Sequence, residues 1–546
     1  MSTCQTKNRK NGFITALAAA AAVTTLGLAG APNAMANLAE NMWSAASGGA
    51  MVGGTWGTAA NWSANRVPGS NGGYTDYTMI DNTNPAGSNT NGFTVTVSSN
   101  YSSYGPNIGT VSLNAPYGYN VQGSDSSPVA MDVTAGGYLA TGGGVGVGGA
   151  GSYGATLNVD AGGTVKAAQV FIGNGFAGSQ APSVFNITGT VYLTTGGNNT
   201  GLGVGNQDNG TVNLSEAGLI APSANTPLEF GLGTIGGTGP LAGTGGEGTM
   251  NQSGGTVTMN GDLDVGMNSV GVYNFQNGAI NGGGNVRVGD GAQGTFTMTG
   301  GNLTTGANNQ TQLFIGTNGT NATNGLFSIS GGTVATTGGL VGPPMLQVGS
   351  GNGLGSGELR VTGSGSSITL LAGTAQPTMV TYSNSTLDFQ IGSTGVSTIY
   401  ANDSESGYTN GTLNTATDNR DAAGLSGILQ IDLLNGFTPV DGTIYTLISS
   451  NVVLDPTTAG YSGIVDTAGT QINYYGFTYT DTGLSLASAD AGLWELLPVT
   501  VNSAGTATLL QVEYIGQTSI PEPATLGFMA MGGLGILLLG RKRKPA

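Results

Sequence analysis

Residues 250–272 read MNQSGGTVTMNGDLDVGMNSVGV, and residues 273–295 read YNFQNGAINGGGNVRVGDGAQGT. Each stretch is 23 residues long and carries one pattern in three parts, built from segments of 8, 8 and 7. It opens on an apolar residue followed by Asn, as in Met250-Asn251 and Tyr273-Asn274. A Gly-containing corner and an isolated apolar residue follow, Val257 or Ile280. The stretch closes on apolar-x-apolar-Gly, as Leu263-Asp264-Val265-Gly266 or Val286-Arg287-Val288-Gly289. Working outward, the same unit starts at Met131, Leu157, Phe185 and Val212, and again at Phe296, Phe327 and Leu359. Longer intervals differ mainly by inserts between the anchors. Alternation with a period of two marks strands. At about 3.3 Å per residue, seven or eight residues make one side plus a corner. Coils stacked about 4.8 Å apart would set each apolar anchor on its counterpart in the next coil. The reading is an all-β fold: a right-handed parallel β-solenoid of about nine coils with three short strands per coil. Antiparallel hairpins in a sandwich or barrel also alternate, but they do not predict a three-part unit repeated nine times.

Composition agrees and excludes several functions. The chain has 546 residues, 101 of them Gly, and only 7% are charged. Gly without a strict three-residue period is not collagen, and three corners per coil account for it. His is absent and Cys4 is the single Cys, which removes His-dependent triads, His metal ligands and disulfide frameworks. Acids outnumber bases 28 to 12, so a nucleic-acid partner is not expected.

Both ends read as targeting signals. Lys7, Arg9 and Lys10 precede an apolar stretch from Phe13 to Gly30, and Ala34-Met35-Ala36 is a small-x-small cleavage site. Residues 1–36 are therefore expected to be a signal peptide with an apolar helix. At the other end, Pro521-Glu522-Pro523 precedes an apolar run from Leu526 to Gly540, and Arg541-Lys542-Arg543-Lys544 follows. As a helix the run is about 22 Å long, and its basic tail favours the cytoplasmic side. This order over residues 519–546 resembles the PEP-CTERM sorting signal. The resemblance implies a Gram-negative exporter and an exosortase-type enzyme that processes the tail at the inner membrane. It also implies a transient transmembrane helix and a destination at the cell surface or in the extracellular matrix, with exopolysaccharide or biofilm as the associated material. The repeats themselves resemble autotransporter passenger regions. Without the two signals, five bases face 27 acids, a formal charge of −22.

Three regions are expected between the signals. Residues 37–125 hold Trp43, Trp56 and Trp62 and read as an N-terminal β cap, because a solenoid end exposes an open edge and an apolar core. The sharper alternative is that Trp56 and Trp62 stack on sugar rings, making the protein a glycan-binding adhesin. Residues 126–372 are the solenoid. Residues 373–518 read as a separate, sandwich-like β domain.

Because β-helices can carry polysaccharide lyases and glycosidases, paired carboxylates and bases were sought. The best cluster is Asp262, Asp264 and Arg287. Asp262 and Asp264 flank the inward Leu263 and so point outward, and aligning Val265-Gly266 with Val288-Gly289 puts Arg287 one coil above Asp264. Either it is a small acid or calcium site, or it is an ion pair on a solvated face worth under about 1 kcal/mol. The latter is expected, with no catalytic residue, no metal site and no cofactor. Asn158, Asn186, Asn213, Asn251 and Asn274 share one column over five coils, which predicts a ladder of side-chain amides.

Overall fold

A computed structural model describes most of residues 129–403, with shorter pieces between 38 and 113 and between 423 and 516. The signal segments at 1–36 and 519–546, with the cleavage site, the Leu526–Gly540 run and the basic stop, lie outside the described residues. Among those described, no helix is long and apolar enough to cross a membrane.

The chain winds through three sheets in turn. These hold 13, 14 and 14 strands, and nearly all neighbours are parallel. In the second sheet the nine anchors read from sequence face one another in strict register: Met131 to Leu157, Phe185, Val212, Met250, Tyr273, Phe296, Phe327 and Leu359. Each is buried, and together with Val165, Val257, Ile280 and their equivalents from the third sheet they form one continuous core. Aromatic rings stack along it. Tyr273, Phe296 and Phe327 lie nearly parallel, with centroids 4.8 and 4.9 Å apart, the coil repeat itself.

Gly follows six strands of the first sheet for a steric reason. Gly173, Gly205, Gly266, Gly289, Gly316 and Gly349 all have φ between 65° and 80°. At Gly289 a Cβ would also come within 2.8 Å of the Gly325 backbone in the next coil. The left-handed turn and the close approach both exclude larger residues.

The ladders do not stop at the boundaries expected at 125/126 and 372/373. Strand Phe93–Val97 pairs with Val129–Val133, and Ser356–Thr362 pairs with Ser385–Ile391, which pairs with Ser426–Leu433. Leu359, Leu387 and Leu429 continue the anchor column. The described part of residues 373–433 therefore belongs to the solenoid rather than to a sandwich, and the coils exceed nine. The sequence hides the repeat here, since the interval stretches to 42 residues between Leu387 and Leu429 and no central Asn marks it. A true change of architecture comes later. Thr443–Ser450 pairs antiparallel with Thr508–Tyr514, which pairs antiparallel with Trp494–Leu496. Thr443–Ser450 still pairs in parallel with Ile399–Asp403, so these strands extend the end of the third sheet as an antiparallel lid.

At the other end Trp56 and Trp62 are buried in the core, 0% and 2% exposed, in edge-to-face contact at 4.8 Å. Trp62 Nε1 donates to the Trp56 carbonyl oxygen at 2.9 Å. Rings this deep cannot stack on a sugar, so the adhesin reading built on Trp56 and Trp62 is corrected: these two side chains belong to the core.

Candidate functional site

Chain length at the corners sets the first sheet apart. Two residues connect Ile187 of the second sheet to Thr190 of the third. By contrast, 17 residues lie between Phe230 of the first sheet and Gly248 of the second. Inserts of this kind flank the first sheet on both sides, and in repeat proteins such inserts commonly gather at a functional face.

On that face Glu229, Asp264, Arg287 and Phe314 are in register on four successive coils. The arrangement read from sequence is present. Its surroundings are not as expected. Asp264 is only 3% exposed, and Glu229 is buried as well. The face is closed rather than solvated, and Arg287 reaches back to the acids within it. Arg287 Nη1 lies 2.8 Å from Asp262 Oδ2 and 3.5 Å from both Asp264 Oδ1 and Asp290 Oδ2. Its guanidinium also sits 6.0 Å from the Phe314 ring centroid. Asp262 Oδ1 accepts from the Asn285 backbone N–H and from Asn285 Nδ2 at 3.1 and 3.0 Å.

Burial raises the pKa of Asp264 well above the carboxylate range; Arg287 opposes this, and Asp290, Asp262 and Glu229 add to it. Burial works against the Arg287 charge, but Asp264, Asp262 and Asp290 outweigh it and hold its pKa above the ordinary value. One guanidinium thus neutralises part of a larger buried negative charge. Sequence reasoning missed Glu229 and Asp290. The signal for Glu229 was available, since Leu228-Glu229-Phe230-Gly231 is itself an apolar-x-apolar-Gly segment.

The second sheet carries the amide ladder. Asn274 donates to Asn251, Asn251 to Asn213, Asn213 to Asn186 and Asn186 to Asn158, at 2.8 to 3.0 Å, always Nδ2 to Oδ1. The run ends where Asn158 donates to the Asp132 carboxylate at 2.7 Å. A carboxylate only accepts, so Asp132 fixes the direction of every amide above it. Further along the same column lie Arg360 and the fully buried Asp388, joined at 2.7 Å through Nε and Oδ2. Arg360 also binds Glu358 at 2.5 Å, and Gln390 donates to Asp388 Oδ2 at 3.1 Å. Burial pushes the Asp388 pKa up to about 6, against the pull of Arg360. Among the described residues its Oδ1 has no hydrogen-bond partner.

Among the described residues no group of three or more acids is arranged to hold a metal ion. The remaining chemistry lies in the tail. Pro521, Glu522 and Pro523, the apolar run and Arg541 to Lys544 all fall inside a match to a known family model. Residues 519–544 are a PEP-CTERM protein-sorting motif. The PEP-CTERM motif marks an exported protein with a membrane-associated C-terminal sorting signal and implies processing by an exosortase. It covers only this end of the chain. No curated protein and no solved structure matches the chain.

Proposed function

We propose that this is a non-enzymatic shaft protein of a Gram-negative bacterium, exported, processed at its PEP-CTERM tail and placed at the cell surface or in the extracellular matrix. There it associates with exopolysaccharide, as in a biofilm. The PEP-CTERM motif carries the reading, and the solenoid supplies its mechanics. A rod with a continuous apolar core holds many weak polar contacts in a fixed line, and such contacts add through repetition. The Asp262–Asp264–Arg287 cluster supports a structural role, since its charges are spent on one another and its central carboxylate is covered.

Two measurements test this. In the native host, the wild-type chain should appear outside the inner membrane, shortened at its C-terminus by mass spectrometry. Replacing Pro521, Glu522 and Pro523 with Ala should leave a full-length, membrane-retained form. Identical processing of both would remove the basis of the proposal. The opposing reading is a glycosidase or lyase using Asp264. It requires the protein to release reducing or unsaturated ends from polysaccharide, and Asp264→Ala to abolish that release.

A further inference from the structure

The described part of the chain ends on an apolar patch beside the point where the sorting segment begins. Among the described residues eight large apolar side chains are exposed, and five lie singly on separate coils or corners: Tyr192, Val270, Leu354, Tyr400 and Ile428. The other three, Val440, Ile444 and Ile515, are 78%, 51% and 39% exposed and share one end of the antiparallel lid. The backbone brings them together. Gly442 N–H donates to the Tyr514 carbonyl oxygen at 2.8 Å, and Ile444 lies directly across from Glu513. Ile515 is two residues on from Glu513, hence on the same face as Ile444 and diagonal to it. Val440 opens the turn that leads into Thr443–Ser450, its carbonyl accepting from Thr443 N–H at 3.0 Å.

Clustered exposed aliphatics mark a contact surface, and the chain's own course names the partner. The sorting motif starts at residue 519, three residues beyond Gly516, and the apolar run starts at Leu526. Ten residues from Gly516 to Leu526 span at most about 35 Å even when fully extended. Whenever the tail is inserted, the patch is held within that distance of the bilayer. A tether this short makes a weak contact effective, because binding becomes intramolecular.

We infer that Val440, Ile444 and Ile515 form a membrane-contacting patch that seats the solenoid end on the bilayer holding its tail. A zwitterionic surface suits this patch best. Glu513 lies on the same face between Ile444 and Ile515, Asp441 adjoins Val440, and the chain between the two signals carries a formal charge of −22. Anionic headgroups would therefore weaken the contact, opposite to the behaviour of a basic membrane anchor. Seating the body this way would also keep Pro521-Glu522-Pro523 close to the membrane surface. The inference rests on the PEP-CTERM motif and not on any association with polysaccharide.

The test uses the full chain with Cys4→Ser, leaving no native thiol. Single variants Val440→Cys, Ile444→Cys, Ile515→Cys and, as a control, Tyr192→Cys are labelled with an environment-sensitive fluorophore. The chain is reconstituted in phosphatidylcholine vesicles containing a shallow spin-labelled quencher lipid. Quenching at positions 440, 444 and 515 should exceed that at 192 by about twofold or more, as expected of side chains entering the headgroup–acyl boundary. Adding phosphatidylglycerol should reduce it. Quenching at 440 no greater than at 192, in chains shown by flotation to be vesicle-bound, would overturn the inference; so would failure of the chain to float. Unprocessed tail in the host would count against the proposed sorting route and leave this contact standing.

Discussion

The Asn column shows how one residue type can serve a fold that intrinsic propensity would argue against. Asn is depleted in strands, yet five are stacked here because each donates to the side chain one coil back, and all but Asn274 accept from the Asn one coil on. Interior and terminal members differ. Asn213→Ala removes two hydrogen bonds, one as donor and one as acceptor, and should destabilise the protein by about 1–2 kcal/mol in denaturant unfolding. Asn274→Ala removes one such link and should cost about half as much. Equal small effects at both sites would mean the ladder carries no stability. Asp388 is the residue whose protonation matters most legibly. Its folded pKa is raised to about 6, whereas an unfolded Asp titrates near 3.9. Between these values the folded state holds the proton and the unfolded state has lost it. The stability Asp388 contributes is therefore complete below about pH 4 and is lost as pH rises towards about 6. Asp388→Asn should flatten the fall in melting temperature over that window. An unchanged pH profile would show that Asp388 titrates as an ordinary carboxylate.

At the scale of strands, alternation and the Gly-terminated triplet made the three-part coil legible, since inward positions must be apolar and tight corners must be Gly. The environment of an outward residue was not legible. Asp264 alternates outward as read, and the repeat sets Arg287 beside it, but its burial and the approach of Asp290 from beyond the corner are encoded by no periodicity. Nor could the pattern distinguish Ser385–Ile391 and Ser426–Leu433 as solenoid strands. Alternation is shared with sandwiches, and only pairing across a 42-residue interval tells them apart. The closed cluster has a testable consequence. Arg287→Met keeps the bulk of the side chain but leaves Asp262, Asp264 and Asp290 without their shared cation. A loss of about 3–5 kcal/mol is expected at neutral pH, with partial recovery in acid as the carboxylates protonate. A loss below about 1 kcal/mol would return the cluster to the solvated ion pair that sequence reasoning anticipated.

For the whole molecule, a capped, parallel stack accounts for features that composition alone left open. The Gly content becomes a set of corners, and the Trp56–Trp62 pair becomes part of the core. The low charge density becomes a requirement of surfaces whose like residues sit one coil apart, where repeated charges would repel. The central claim is that residues on both sides of 372/373 belong to one stack with one repeat. Spin labels at Tyr192, Thr304 and Tyr400 on the third sheet test it most directly, by pulsed electron–electron dipolar spectroscopy on the Cys4→Ser chain. Strand order places Thr304 four coils and Tyr400 seven coils from Tyr192. One continuous stack predicts distances of about 19 Å and about 34 Å, in the ratio of the coil numbers. A 192–400 distance well away from that proportion, with 192–304 as expected, would mean that the stack breaks at 372 and that a separate domain begins there.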